Sequence, residues 1–249
     1  MAVVPAIKVS SNGQPVAASL RRSVLTGSRV TVSRLIGAFF LAGTLTYGVG
    51  SILAKSVTDS SSFLSTISAD HSILVLGAFL ILLNTPVDIA KAVFFFPILE
   101  QHGRRTALAY LATMIFEVVF LSLGAFCLLM IVPLGKHAGE GWAQGLASLL
   151  VQSNTTAYQI GEAVLGFGAL FLCALLWRSR LIPRWLAISG LIGYACLMAG
   201  QSAEIFGIPI GTYLTIPGAF FELAMPFWLF TKGFQPDAYQ GQPTVKPTA

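Results

Sequence analysis

Six apolar segments, at about residues 34–55, 72–99, 106–132, 156–177, 182–204 and 212–231, decide what this chain can become. Each is long enough to cross a hydrocarbon core of about 30 Å at about 1.5 Å of helix rise per residue. No water satisfies backbone groups inside such a core, so the segments read as helices. Composition agrees, with 55% of the 249 residues hydrophobic, 10% charged and a mean hydropathy of +0.78. A soluble domain carries roughly 25% charged residues, because its surface must be wet. That shortage excludes a soluble enzyme, a nucleic-acid-binding module and a disordered chain.

Segments two and three are long enough to require tilt or a bend. Pro86 and Pro97 are the natural kink sites in segment two, and Pro217 and Pro226 in segment six. Of the 15 Lys and Arg residues, all but Lys55, Lys136 and Lys91 fall in the two tails or in the second-to-third and fourth-to-fifth connections. Lys55 and Lys136 lie on the other side, and Lys91 lies within segment two. This alternation predicts six transmembrane helices with both termini cytoplasmic. The expected fold is therefore an all-α polytopic membrane protein, its six-helix domain over 34–232. Residues 1–33, with Lys8, Arg21, Arg22 and Arg29, read as a flexible basic cytoplasmic tail, and 233–249 as a second tail.

Two connections are longer. Residues 56–71 are serine-rich and read as a loop. In 133–155, Trp142, Leu146, Leu149 and Leu150 share one helical face, predicting a short helix at the outer interface. In segment one Ala38, Ala42, Thr46, Gly50 and Ala54 recur every four residues. Such a stripe of small side chains lets helices approach closely in lipid. Ser189 and Gly193 offer a shorter version in segment five.

Ionisable residues at membrane depth are the informative anomaly. They are Asp88 and Lys91 in segment two, Glu117 in three, Glu162 in four and Glu222 in six. A charge at the bilayer centre costs about 3 kcal/mol or more, so each needs a partner, a cavity or a proton. Counted from segment midpoints, Asp88 and Glu117 fall within about 4 Å of the midplane, and Glu222 within about one turn. Glu162 lies about 7 Å toward the outer surface. Asp88 and Lys91 are spaced i, i+3 and can pair. Glu117 and Glu222 have no evident cation, and two carboxylates in low dielectric must protonate or hold something positive. Asn84, Gln159, Gln201, Tyr47, Thr44 and Thr46 are polar candidates for the same cavity. Glu204, at the outer end of segment five, reads as solvated.

Other chemistry is weakly signalled. Cys127, Cys173 and Cys196 lie in apolar runs without CxxC spacing and read as small hydrophobes. His71, His102 and His137 all fall in connections, which disfavours buried haem. Asp70-His71 and His137-Ala138-Gly139-Glu140 could meet at a metal, but such residues in wet loops are ordinarily just solvated. No metal or cofactor is expected, and GxSxG, P-loop, HExxH and GxGxxG motifs are absent.

Three functions fit. The first is binding or transport of a small solute, a proton or a lipid-like molecule at a polar midplane cavity lined by Asp88, Lys91, Glu117, Glu222 and Asn84, with Glu162 on the outer approach. The second is an intramembrane enzyme using one carboxyl as base and another as acid. The third is a scaffold or regulatory subunit in which the acids glue helices together. The expected partners are membrane lipids and a proton or small-molecule ligand, and not nucleic acid.

Trp177-Arg178-Ser179-Arg180-Leu181-Ile182-Pro183-Arg184 is the best local match to a family that the chain resembles from about Arg34 to Phe234, the bacterial integral-membrane family called domain of unknown function 4386. The end of the last span, Glu222 followed by Trp228-Leu229-Phe230-Thr231-Lys232-Gly233-Phe234, is the second. Arg34-Leu35-Ile36-Gly37 and Asp88 also match. Members often have Arg-x-x-Glu in the third span, whereas here Met114 precedes Glu117. The resemblance implies the membrane topology and a bacterial cytoplasmic membrane. It implies no activity.

Overall fold

The computed structural model describes residues 16–60 and 63–235, and among them there are helices and no strands. In chain order they are α1 (Val16–Thr58), α2 (Phe63–Leu129), the one-turn α3 (Ile131–Leu134), α4 (Gly141–Ser179), α5 (Arg184–Ile205) and α6 (Gly211–Thr231). A short 3-10 turn, Gly135–His137, follows α3. Among the described residues five helices, rather than the expected six, are long and apolar enough to cross a membrane. The molecule is thus an all-α polytopic membrane protein.

The difference in number has one cause. Segments two and three are arms of α2, which spans 67 residues and would reach about 100 Å if straight. It is not straight, because Gly103 leaves the helix with φ −179° and ψ 86°. The arms 63–102 and 104–129 then fold back on each other. Thr85 Oγ1 lies 3.0 Å from Ser122 Oγ, and Phe95 meets Tyr110 edge to face at 6.4 Å.

Two other boundaries differ from expectation. The interfacial helix expected within 133–155 is the first part of α4, because no Gly or Pro between residues 146 and 160 interrupts it. Likewise α2 begins at Phe63, where Phe63, Leu64 and Ile67 are buried, so most of the serine-rich 56–71 connection is helical. α1 begins at Val16, ahead of the expected start at 34. The earlier part of that tail, and the tail beyond Gln235, lie outside the described residues.

The outer faces are apolar, as lipid requires: Ile52 is 69% exposed and Phe227 62%. Inward faces use small residues. A Cβ on Gly50 would stand 2.7 Å from Gly77 O, and one on Gly77 would stand 2.8 Å from Gly50 O, so α1 and the first arm of α2 touch backbone to backbone. α5 and α6 do the same: a Cβ on Gly193 would lie 2.8 Å from both Pro217 O and Gly218 Cα.

Two apolar clusters cap the bundle. One includes Phe95, Leu172, Leu181, Leu229 and Phe234, and the other includes Ala54, Leu64, Leu74, Leu128 and Ala143. At the first end α4 closes on Arg180, whose φ of 55° is left-handed. The turn sends Leu181 and Ile182 into the core. There Leu181 O accepts the Gln235 N–H at 2.9 Å, Trp228 Nε1 donates to Gly233 O at 3.0 Å, and Phe234 stacks on Phe95 at 5.5 Å. The two stretches that carry the strongest family resemblance therefore form one packed junction. Between the two clusters the interior holds buried polar and charged side chains, Asn84, Asp88, Lys91 and Glu117 among them.

Candidate functional site

The first arm of α2 supplies three groups at i, i+4 and i+7, and hence on one helical face: Asn84, Asp88 and Lys91. They form a chain of contacts. Asn84 Nδ2 donates to Asp88 Oδ2 at 2.6 Å, and Asp88 Oδ1 meets Lys91 Nζ at 2.5 Å. The Lys91 ammonium also stands 4.9 Å from the centre of the Phe40 ring. From α1, Thr46 Oγ1 donates to Asn84 Oδ1 at 3.2 Å. Gly43 makes the approach possible, since a Cβ there would be 2.8 Å from Asp88 Oδ1. All three α2 side chains are buried. The pairing of Asp88 with Lys91 that the spacing allows is thus present, and α1 closes over it.

Glu117, on the second arm of α2, is only 3% exposed, and its Oε2 has no hydrogen-bond partner. Three residues earlier, Met114 is fully buried in the apolar cluster, so no arginine reaches Glu117 from that side. Glu162 on α4 and Glu222 on α6 are half-buried. Tyr194 Oη of α5 donates to Glu222 Oε1 at 3.2 Å, and the Thr44 hydroxyl lies beside the same carboxylate.

These groups line one cavity of about 190 Å³. Asn84, Asp88, Lys91, Glu117, Glu162 and Glu222, the six residues singled out from the sequence, all reach its wall. Glu162, expected on the outer approach, stands in the same wall as the other acids. Tyr47 and Thr44 join them from α1. Thr46 acts through Asn84. Gln159 and Gln201 line a second, polar cavity of about 250 Å³ instead.

Three contributors were missed. Tyr158 lies one helical turn before Glu162 and stacks on Tyr47, with ring centres 5.3 Å apart and 15° between planes. Its i, i+4 relation to an intramembrane acid was the available signal. Thr215, with Tyr47 and Tyr158, borders both cavities. Glu204 is not merely solvated: its Oε1 accepts the Gly211 N–H at 2.8 Å at the start of α6, satisfying a donor that has no helical acceptor. No group of His, Cys, Asp and Glu suited to a metal occurs among the described residues. His137 and Glu140 instead pair with each other at 2.8 Å. Hydrogen bonds from His137 and Trp142 hold the Glu140 carboxyl below the usual glutamate range.

The wall carries an excess of acids over bases. One ammonium, Lys91, faces four carboxylates, and it is already committed to Asp88. The remaining three share the cavity wall, where a buried carboxylate without a partner, as at Glu117, is unfavourable unless a proton or a cation joins it.

The sequence of residues 35–233 matches the family described as a domain of unknown function, DUF4386. The chain belongs to that family. The match runs from the entry of α1's apolar part to Gly233, so the cavity, the second cluster and all of the first but Phe234 lie within the DUF4386 region. No curated protein and no solved structure matches the chain.

Proposed function

We propose that this DUF4386 protein binds a proton or small solute in its acidic cavity and moves it across a bacterial cytoplasmic membrane. In this reading the two arms of α2 are separate spans, which makes six, with both termini on the cytoplasmic side. The distribution of Lys and Arg supports that topology: Arg104 and Arg105 directly follow the Gly103 bend, and Arg178, Arg180 and Arg184 surround the α4–α5 turn. The Lys55 and Lys136 end is then external.

The observation that carries the proposal is Glu117 Oε2, buried and unpartnered at the wall of a cavity that also holds Glu162 and Glu222. Acids that served only as helix glue would each be satisfied by a neighbouring group, as Asp88 is by Asn84 and Lys91. Glu117 is not. A site with an excess of carboxylates in low dielectric gains and releases positive charge as its surroundings change.

The test is reconstitution of the purified chain into liposomes with a trapped pH-sensitive dye. An imposed pH gradient should collapse faster than in protein-free vesicles. Glu117→Gln and Glu222→Gln should each slow that collapse at least tenfold. Flux unchanged in both variants would overturn the proposal.

A further inference from the structure

We infer that the acidic cavity takes a small organic ammonium ion, and that this ion arrives from the second cavity across the stacked Tyr47–Tyr158 pair. The inference rests on the reading of the acidic cavity as a cation site and names its ligand class and its route.

The protein already shows how it holds an ammonium at this depth. Lys91 Nζ sits between the Asp88 carboxylate at 2.5 Å and the Phe40 ring at 4.9 Å. A carboxylate supplies the charge and an aromatic face supplies the quadrupole, a combination that suits an ammonium poorly served by water. The same two elements recur across the cavity, where the wall's ammonium, Lys91, is already paired with Asp88. Glu117, Glu162 and Glu222 supply carboxylates, and Tyr47 and Tyr158 supply rings. Glu117 Oε2 is the buried, unpartnered acceptor that such a ligand would satisfy.

The rest of the wall selects an organic ion over an inorganic one. Leu121, Leu165, Leu197 and Ala219 form apolar stretches among the carboxylates. A metal cation wants oxygens on all sides, typically six or more. An alkylammonium wants oxygens at its head and hydrocarbon around its tail, which is what this wall offers. The volume, about 190 Å³, lies below the range of roughly 300–1,000 Å³ that encloses drug-sized ligands, so the ion has few heavy atoms.

The route follows from an asymmetry. Toward the Arg180 end the cavity is closed by a thick apolar layer that includes Phe40, Phe95, Tyr110, Met114, Leu172 and Phe221, each no more than 2% exposed. Toward the opposite end stands the polar second cavity of about 250 Å³, which includes Ser51, Lys55, Asn154 and Glu204 in its wall. Only Tyr47, Tyr158 and Thr215 border both spaces. The partition is two stacked rings and the bond from Gln201 Nε2 to Thr215 Oγ1 at 3.1 Å. Parting two rings is a side-chain motion, whereas opening the apolar layer requires helices to move.

The experiment uses the full chain in phosphatidylcholine nanodiscs, with Cys127, Cys173 and Cys196 replaced and one cysteine returned to the cavity wall. Gly48→Cys is the first position, because a Cβ there meets nothing within 4 Å, and Ala219→Cys is the second. Each is labelled with aminoethyl methanethiosulfonate, a cationic reagent, or its sulfonate counterpart. The cationic reagent should react at least tenfold faster. Methylammonium chloride should slow it saturably, beyond the effect of equal sodium chloride. Glu117→Gln should remove both the preference and the protection, and Tyr158→Ala should speed labelling several-fold. Equal rates for the two reagents at both positions, or methylammonium protection no greater than that of sodium, would overturn the ligand class. An unchanged rate in Tyr158→Ala would overturn the route. Proton flux that persists without methylammonium protection sinks this inference and spares the transport reading. Methylammonium protection without flux does the reverse.

Discussion

A methyl group added to Gly43 would stand 2.8 Å from Asp88 Oδ1 and 3.3 Å from Asn84 Oδ1. α1 thus presses bare backbone against the one acid–amide–ammonium chain in the interior. Gly43→Ala should destabilise the fold by about 1–3 kcal/mol, since neither Asp88 nor Asn84 can retreat without losing its partner. Gly48, one turn on, has open space around it, so Gly48→Ala should stabilise by about 0.5–1 kcal/mol through helix propensity alone. Thermal unfolding of both variants in nanodiscs checks the opposite signs.

Removing the cation of the internal pair should cost more than removing the pair. Lys91→Met leaves Asp88 as a buried unpaired carboxylate, and a loss of about 3–5 kcal/mol is expected. Adding Asp88→Asn to that variant should restore more than half of the loss. A double-mutant cycle on unfolding midpoints measures the coupling.

Contact of backbone with backbone leaves no side chain to yield. Gly50→Val and Gly193→Val should therefore each destabilise by about 3 kcal/mol or more, the first by forcing α1 off α2 and the second by forcing α5 off α6. Loss of monodisperse elution in detergent, with a lowered unfolding midpoint, is the readout.

Arg180 holds a left-handed backbone at φ 55° without being glycine. Arg180→Gly should relieve about 1 kcal/mol of backbone strain and raise the unfolding midpoint. Arg180→Val should lower it, because a β-branched side chain tolerates this conformation least.

The Glu140 carboxyl should titrate below an ordinary glutamate, since the His137 and Trp142 donors favour its charged form. A carboxyl whose folded pKa is depressed contributes stability above its unfolded pKa, and that contribution is lost as pH falls through the folded value. Trp142 emission, recorded with Trp177, Trp185 and Trp228 changed to Phe, should show a transition on the acid side of the usual glutamate range. His137→Ala should move that transition to higher pH.

Much of this arrangement was legible from residue order because a membrane helix converts sequence position into depth. Asp88, Glu117 and Glu222 could be assigned to one cavity, and Asp88 could be paired with Lys91, from rise per residue and i, i+3 spacing alone. Rotation about each helix axis and the choice of neighbours are not written in that code. Tyr158 was therefore missed as the ring that stacks on Tyr47. Glu204 illustrates a different gap. Its role depends on the chain returning at Gly211, and no local pattern announces that the two meet. Helix ends were misjudged where composition and conformation part company. The serines near residue 65 look like loop but start a helix, and the polar run near 153 interrupts hydropathy without interrupting hydrogen bonding.

The paired glycines have a consequence for how this molecule can rearrange. Gly50 against Gly77 and Gly193 against Gly218 weld the helices into two couples that resist sliding. Asp88 rides on one couple and Glu222 on the other. Sliding α1 along α2, or α5 along α6, would drive backbone into backbone, so each acid keeps its place on its own couple while the solute comes and goes.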